Sequence, residues 1–97
     1  MAKEIVWLQP AKNSFFNIIN YLEHNWTEKE IINFVSKTDK IINIISSGKV
    51  KFRKSNKKSI YEILITKHNL LIYREKANKI ELLLFYDTRL HPKKKKF

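Results

Sequence analysis

The side chains best suited to acid–base or nucleophilic chemistry near neutral pH, histidine and cysteine, are scarce in this chain. Its 97 residues include three histidines (His24, His68 and His91), no cysteine, and an Asp87-Thr88-Arg89 step near the end. Without cysteine there is no disulfide, thiol nucleophile or thiolate metal site. Three isolated histidines lack the spacing of a ligand set, so no metal and no cofactor is expected. His24 sits on the polar side of a helical pattern and is given no role. His68 lies in a tight connection and reads as a solvated turn residue. His91 precedes Pro92 and reads as a surface residue. Arg89 can pair with Asp87 or meet an anionic partner. Tyr61, Tyr73 and Tyr86 fall in strand-like segments, where they fill a core or stack on bases.

The charge is informative. The formal net charge is +11. Residues 1–48 hold five lysines and five acids. Residues 49–97 hold fifteen basic groups against Glu62, Glu75, Glu81 and Asp87, so the whole excess lies in the second half. Solubility does not require such segregation. It points to a polyanionic partner: nucleic acid, an anionic membrane surface or an acidic protein. Lys51, Arg53, Lys67, Arg74 and Arg89 are expected to share one electropositive region. Lys93 and Lys94 begin a run of four lysines before Phe97, read as a flexible basic tail (93–97) that adds salt-sensitive phosphate affinity.

The elements that must position these groups follow from periodicity. The length suits a single domain over 1–97. Glu4 to Leu8 is short and β-branched, a buried strand. Pro10 suits a first helical turn. Ala11, Phe15, Ile18, Ile19, Leu22 and Trp26 then mark one helical stripe. Thr27-Glu28-Lys29-Glu30 reads as a capping box. It opens a second helix, with Phe34, Thr38, Ile41 and Ile45 on one face, closed by Gly48 in the left-handed region. The short connection implies an antiparallel helical hairpin. Lys49 to Lys58 is a basic loop, with room for a short strand at its start. Strands follow over 59–66, 70–75 and 79–86, joined by tight turns into an antiparallel meander. Leu82 to Tyr86 is apolar on both faces and should be central. The fold class is α+β. No apolar run reaches the ~20 residues of a membrane span. The first residues lack a secretory signal, so the expected compartment is the cytoplasm.

The order of these pieces resembles the RelE/ParE superfamily of toxins from bacterial type II toxin–antitoxin modules. Val6-Trp7-Leu8, the stripe from Phe15 to Trp26, and Phe34, Ile41 and Ile45 carry the first half of the resemblance. Leu64 to His68, Leu71 to Arg74, and Phe85-Tyr86-Asp87-Thr88-Arg89 through Lys93 carry the second. Tyr21 and Trp26 in the hairpin look nearer to the ParE branch. The resemblance implies a helical hairpin packed on a twisted antiparallel sheet. It also implies a cytoplasmic growth inhibitor, held as a hetero-oligomer by a cognate antitoxin. ParE-like members poison DNA gyrase; RelE-like members cut messenger RNA on the ribosome. A ribonuclease reading would place catalysis on Arg89 and Lys67, with His68 or His91. Target or nucleic-acid binding would fall to Lys51, Arg53, Arg74, Lys93 and Lys94. A third reading is a non-toxic basic nucleic-acid-binding domain. This sequence departs from the ribonuclease pattern: Phe97 stands where a terminal Tyr is usual, and Tyr61 and Glu62 occupy a strand that carries an Arg in many relatives.

Overall fold

A computed structural model describes residues 3–48, 53–54 and 59–90. The elements are β1 (Glu4–Trp7), α1 (Gln9–Asn25), α2 (Glu28–Ser47), β2 (Arg53–Lys54), β3 (Ile60–Thr66), β4 (Asn69–Glu75) and β5 (Lys79–Asp87). The α+β order is the expected one. Leu8 is the extended N-cap of α1, and Pro10 occupies its first turn, where a missing N–H leaves no gap. Gly48 closes α2 at φ 73°, a conformation that costs a glycine nothing.

The capping box does not form. Glu30 N–H donates to the Thr27 carbonyl at 3.0 Å, and the Thr27 side chain makes no cap bond. The Glu30 carboxylate turns instead toward Arg89 on the far side of the chain. A tertiary ion pair has displaced a local one.

The five strands form one sheet in the order β1-β5-β4-β3-β2. β3, β4 and β5 make the antiparallel meander. β1 joins β5 in parallel, with Glu4 opposite Lys79 and Trp7 opposite Leu82. Strand β5 therefore has a neighbour on each side, as its apolar run requires. Among the described residues of the basic segment, Arg53–Lys54 form a short strand opposite Glu62 and Tyr61; the start of that segment lies outside the described residues. Asn69 opens β4 instead of lying in the turn.

The main core lies between the hairpin and one face of the sheet. Ile18, Leu22 and Phe34 meet Leu71, Tyr73, Leu82 and Phe85 there. Phe15 touches Trp7, Phe34 and Phe85 with ring centroids 5.1–5.2 Å apart. A bulge in β5 serves this packing: Ile72 opposes Leu84 while Tyr73 opposes Leu82. The extra residue lets Leu82 and Phe85 both reach the helices although they are three apart. Leu83 joins Ile60 and Ile72 in a smaller cluster, with Leu8 and Leu84 packed against it. Past the end of β1, Phe85 N–H donates to Ser14 Oγ at 2.9 Å, so α1 takes over as partner on that edge of β5. Among the described residues, no helix is long and apolar enough to cross a membrane.

Candidate functional site

At one end of the sheet the β3–β4 turn, the end of β5 and the first turns of α2 converge. The centre of this junction is Asp87, which is fully buried. A buried carboxylate is costly unless its lone pairs are occupied. Here they are. Asp87 Oδ1 accepts from Arg89 N–H at 2.7 Å and from Arg89 Nε at 3.2 Å. Its Oδ2 accepts from Arg89 Nη2 at 2.9 Å and from Asn69 Nδ2 at 2.6 Å. The side-on Arg89 pair is bidentate, the strong geometry for a guanidinium. Asn69 Oδ1 in turn accepts from Thr66 Oγ1 at 2.6 Å, so the network runs into the β3–β4 turn.

Arg89 closes the network toward the helices. Its Nη1 reaches Glu30 Oε1 at 3.4 Å, and its guanidinium carbon lies 5.0 Å from the Trp26 ring centroid. The indole is 47% exposed and donates through Nε1 to Tyr21 Oη at 3.3 Å. Burial alone would push the Asp87 carboxyl up. The side-chain and backbone bonds from Arg89, with Asn69, outweigh it and hold the carboxyl below its ordinary range. Burial likewise works against the Arg89 charge, but Asp87 and Glu30 more than restore it. Both groups are fixed in their charged forms.

Beside this network opens a cleft of about 430 Å³ between α2 and the β3–β4 turn. Trp26, Glu30 and Arg89 form one wall. Lys37 and Asn33 from α2 and Lys67 and His68 from the turn form the others. The structure thus brings together three expected site residues: Arg89, Lys67 and His68. It does not bring Arg74 to them. Arg74 lies near the opposite end of β4, about 17 Å along the strand from Asn69, and its Nε donates to Glu81 at 2.8 Å. Lys76 and Lys79 approach the same carboxylate at 4.0 and 3.7 Å. That bond from Arg74 is the main cause that holds the Glu81 carboxyl low. The cations of the second half whose side chains are described therefore lie at both ends of the sheet rather than in one shared region. Lys51, His91, Lys93 and Lys94 lie outside the described residues, as does the side chain of Arg53. Among the described residues, no group of three His, Cys, Asp or Glu is placed to hold a metal ion.

Tyr73 stacks on Tyr61 at 5.5 Å in the sheet. Burial first, then Glu75 and Tyr61, push the Tyr73 phenol well up, so it stays protonated and cannot act as a base. Sequence reasoning missed Trp26, Glu30, Asn69 and Lys37. Trp26 reads as part of an apolar stripe and Glu30 as a helix cap. Only the Asp87-x-Arg89 spacing signalled the network.

No protein-family model matches the chain, and no curated protein matches it in sequence. Solved structures do match. A chain of the chromosomal ParDE TA system from P. aeruginosa superposes with a TM-score of 0.73 at 11% identity, covering 89% of this chain and 96% of that one. The E. coli DinJ-YafQ toxin-antitoxin complex matches at 0.65 with 6% identity, over 94% and 98% of the two chains. The YoeB dimer from Staphylococcus aureus matches at 0.60 with 19% identity, over 89% and 97%. The chain has the RelE/ParE toxin fold. At these identities the likeness is one of architecture. In this RelE/ParE fold, the Asp87–Arg89 network ties β5 to the helical hairpin.

Proposed function

We propose that this protein is the growth-inhibiting toxin of a bacterial toxin–antitoxin module. In this reading it acts in the cytoplasm by binding a protein target of the ParE kind, DNA gyrase, and a cognate antitoxin neutralises it. The likeness to ParDE, DinJ-YafQ and YoeB structures supports the toxin role. The commitment of Arg89 carries the choice of mechanism. Cutting RNA by a 2′-hydroxyl needs a base, an acid, and cations free to meet the developing phosphorane charge. Arg89 is already bound by Asp87 and Glu30 and stacked on Trp26, and its side chain is only 11% exposed. Such a group holds a surface in shape better than it stabilises a transition state. An acidic, amphipathic antitoxin segment would meet the cationic ends of the sheet and cover exposed apolar side chains such as Ile32 and Val35 on α2.

One observation favours a ribonuclease instead: Arg89, Lys67 and His68 line one cleft. Induction in a bacterial host separates the two readings. Early loss of plasmid supercoiling with intact messages is the expected result. Early translation arrest with cleaved messages would replace the gyrase reading with the ribonuclease one. Unimpaired growth would remove the toxin reading.

A further inference from the structure

The cleft beside Arg89 combines features that the protein-binding reading does not use. It is concave, and its volume falls within the range of small-ligand sites, roughly 300–1,000 Å³. Trp26, an aromatic half open to solvent, forms part of its wall. Lys37 and Lys67 approach from two separate elements, and among the described residues neither has an ion-pair partner. The Asn33 amide and the His68 ring add donors. Glu30 is the odd member. Its carboxylate abandons the helix cap to sit at Arg89 Nη1, at the loose distance of 3.4 Å and 40% exposed. It is an anion from the chain itself, in a cleft whose two lysines have no ion-pair partner among the described residues.

We infer that this cleft binds a nucleoside monophosphate, with the base against Trp26, the phosphate between Lys37 and Lys67, and Glu30 as the internal anion that opposes it. The chemistry recognised is a flat ring joined to a phosphate dianion. An aromatic face serves the first and converging cations the second. Inorganic phosphate lacks the ring, and a nucleoside lacks the charge. Arg89 stays bound to Asp87 through Nε and Nη2 and serves as part of the wall, leaving the phosphate to the two lysines. The site does not rest on the gyrase reading above, and the ribonuclease reading shares its Lys67 and His68.

The test is calorimetric titration of the full chain with adenosine and guanosine monophosphates, inorganic phosphate and the uncharged nucleosides, with tryptophan fluorescence in parallel. The other indole, Trp7, packs on Phe15 and Phe85, so a fluorescence change lost in Trp26→Phe reports the cleft. A monophosphate should bind more tightly than phosphate or nucleoside. Lys37→Ala and Lys67→Ala should each weaken it about tenfold, and Glu30→Gln should tighten it. These variants change exposed or half-buried side chains, and circular dichroism confirms their folding. No binding at millimolar monophosphate would overturn the proposal. So would equal affinity for phosphate and monophosphate, or affinity unchanged by both lysine variants. A short 5′-phosphorylated single strand that binds far more tightly than the monophosphate would replace the free nucleotide with a nucleic-acid end.

Discussion

Asn69 Nδ2 donates to Asp87 Oδ2 at 2.6 Å, and this bond joins the first residue of β4 to the last residue of β5. The same carboxylate holds Arg89, so one buried charge organises the whole end of the sheet. Replacing it leaves a buried guanidinium short of an acceptor. Asp87→Asn is expected to destabilise the fold by about 3 kcal/mol, read as a lowered urea midpoint with an unchanged slope.

The pH dependence follows from the same residue. Its carboxyl titrates lower in the folded chain than in the unfolded one. The associated stability is therefore present above the unfolded value, about pH 4, and is lost as pH falls through the folded value. Wild-type protein should lose stability on acidification from about pH 4 downward. Asp87→Asn lacks this component, so the gap between the two proteins should narrow between pH 7 and pH 3. Urea titrations at a series of pH values measure it. A constant gap would mean that Asp87 titrates alike in both states.

Arg89 can be tested for shape against chemistry. Arg89→Lys keeps the charge but loses the bidentate fork. It should cost about 1–2 kcal/mol and still inhibit growth if the protein acts by binding. A folded Arg89→Lys chain that no longer inhibits growth would give the guanidinium a direct part in the activity.

Ser14 makes a narrower prediction. Its hydroxyl accepts from Phe85 N–H and donates to the Pro10 carbonyl at 2.7 Å. Ser14→Ala leaves a strand N–H without that acceptor and should cost about 1–2 kcal/mol. Hydrogen exchange at Phe85 should quicken in the variant relative to the rest of β5.

Gly48→Ala isolates backbone strain. Nothing lies within 4 Å of an added Cβ, so the φ of +73° is the whole obstacle. A loss of about 1 kcal/mol is expected, visible as a small drop in the thermal midpoint.

Local signals in the chain were reliable where local physics decides. Pro10 and Gly48 bracket the helical region, and the apolar run from Leu82 to Tyr86 marked the strand with neighbours on both sides. What the sequence could not show depends on contacts between distant residues. The parallel pairing of Glu4 with Lys79 has no local mark. Glu30 has the spacing of a helix cap, yet Arg89 draws it away. The division of these cations between the two ends of the sheet was hidden for the same reason: the charge asymmetry is a property of the chain, and strand direction decides where each charge emerges. Arg74 and Lys67 are close in sequence, but β4 carries them apart.

The parallel seam between β1 and β5 sets a condition on biosynthesis. β1 leaves the ribosome before β5 and cannot take its place beside it until β5 has also cleared the exit tunnel. Pairing along this seam is thus a late step of folding, because one of its two strands is made well after the other.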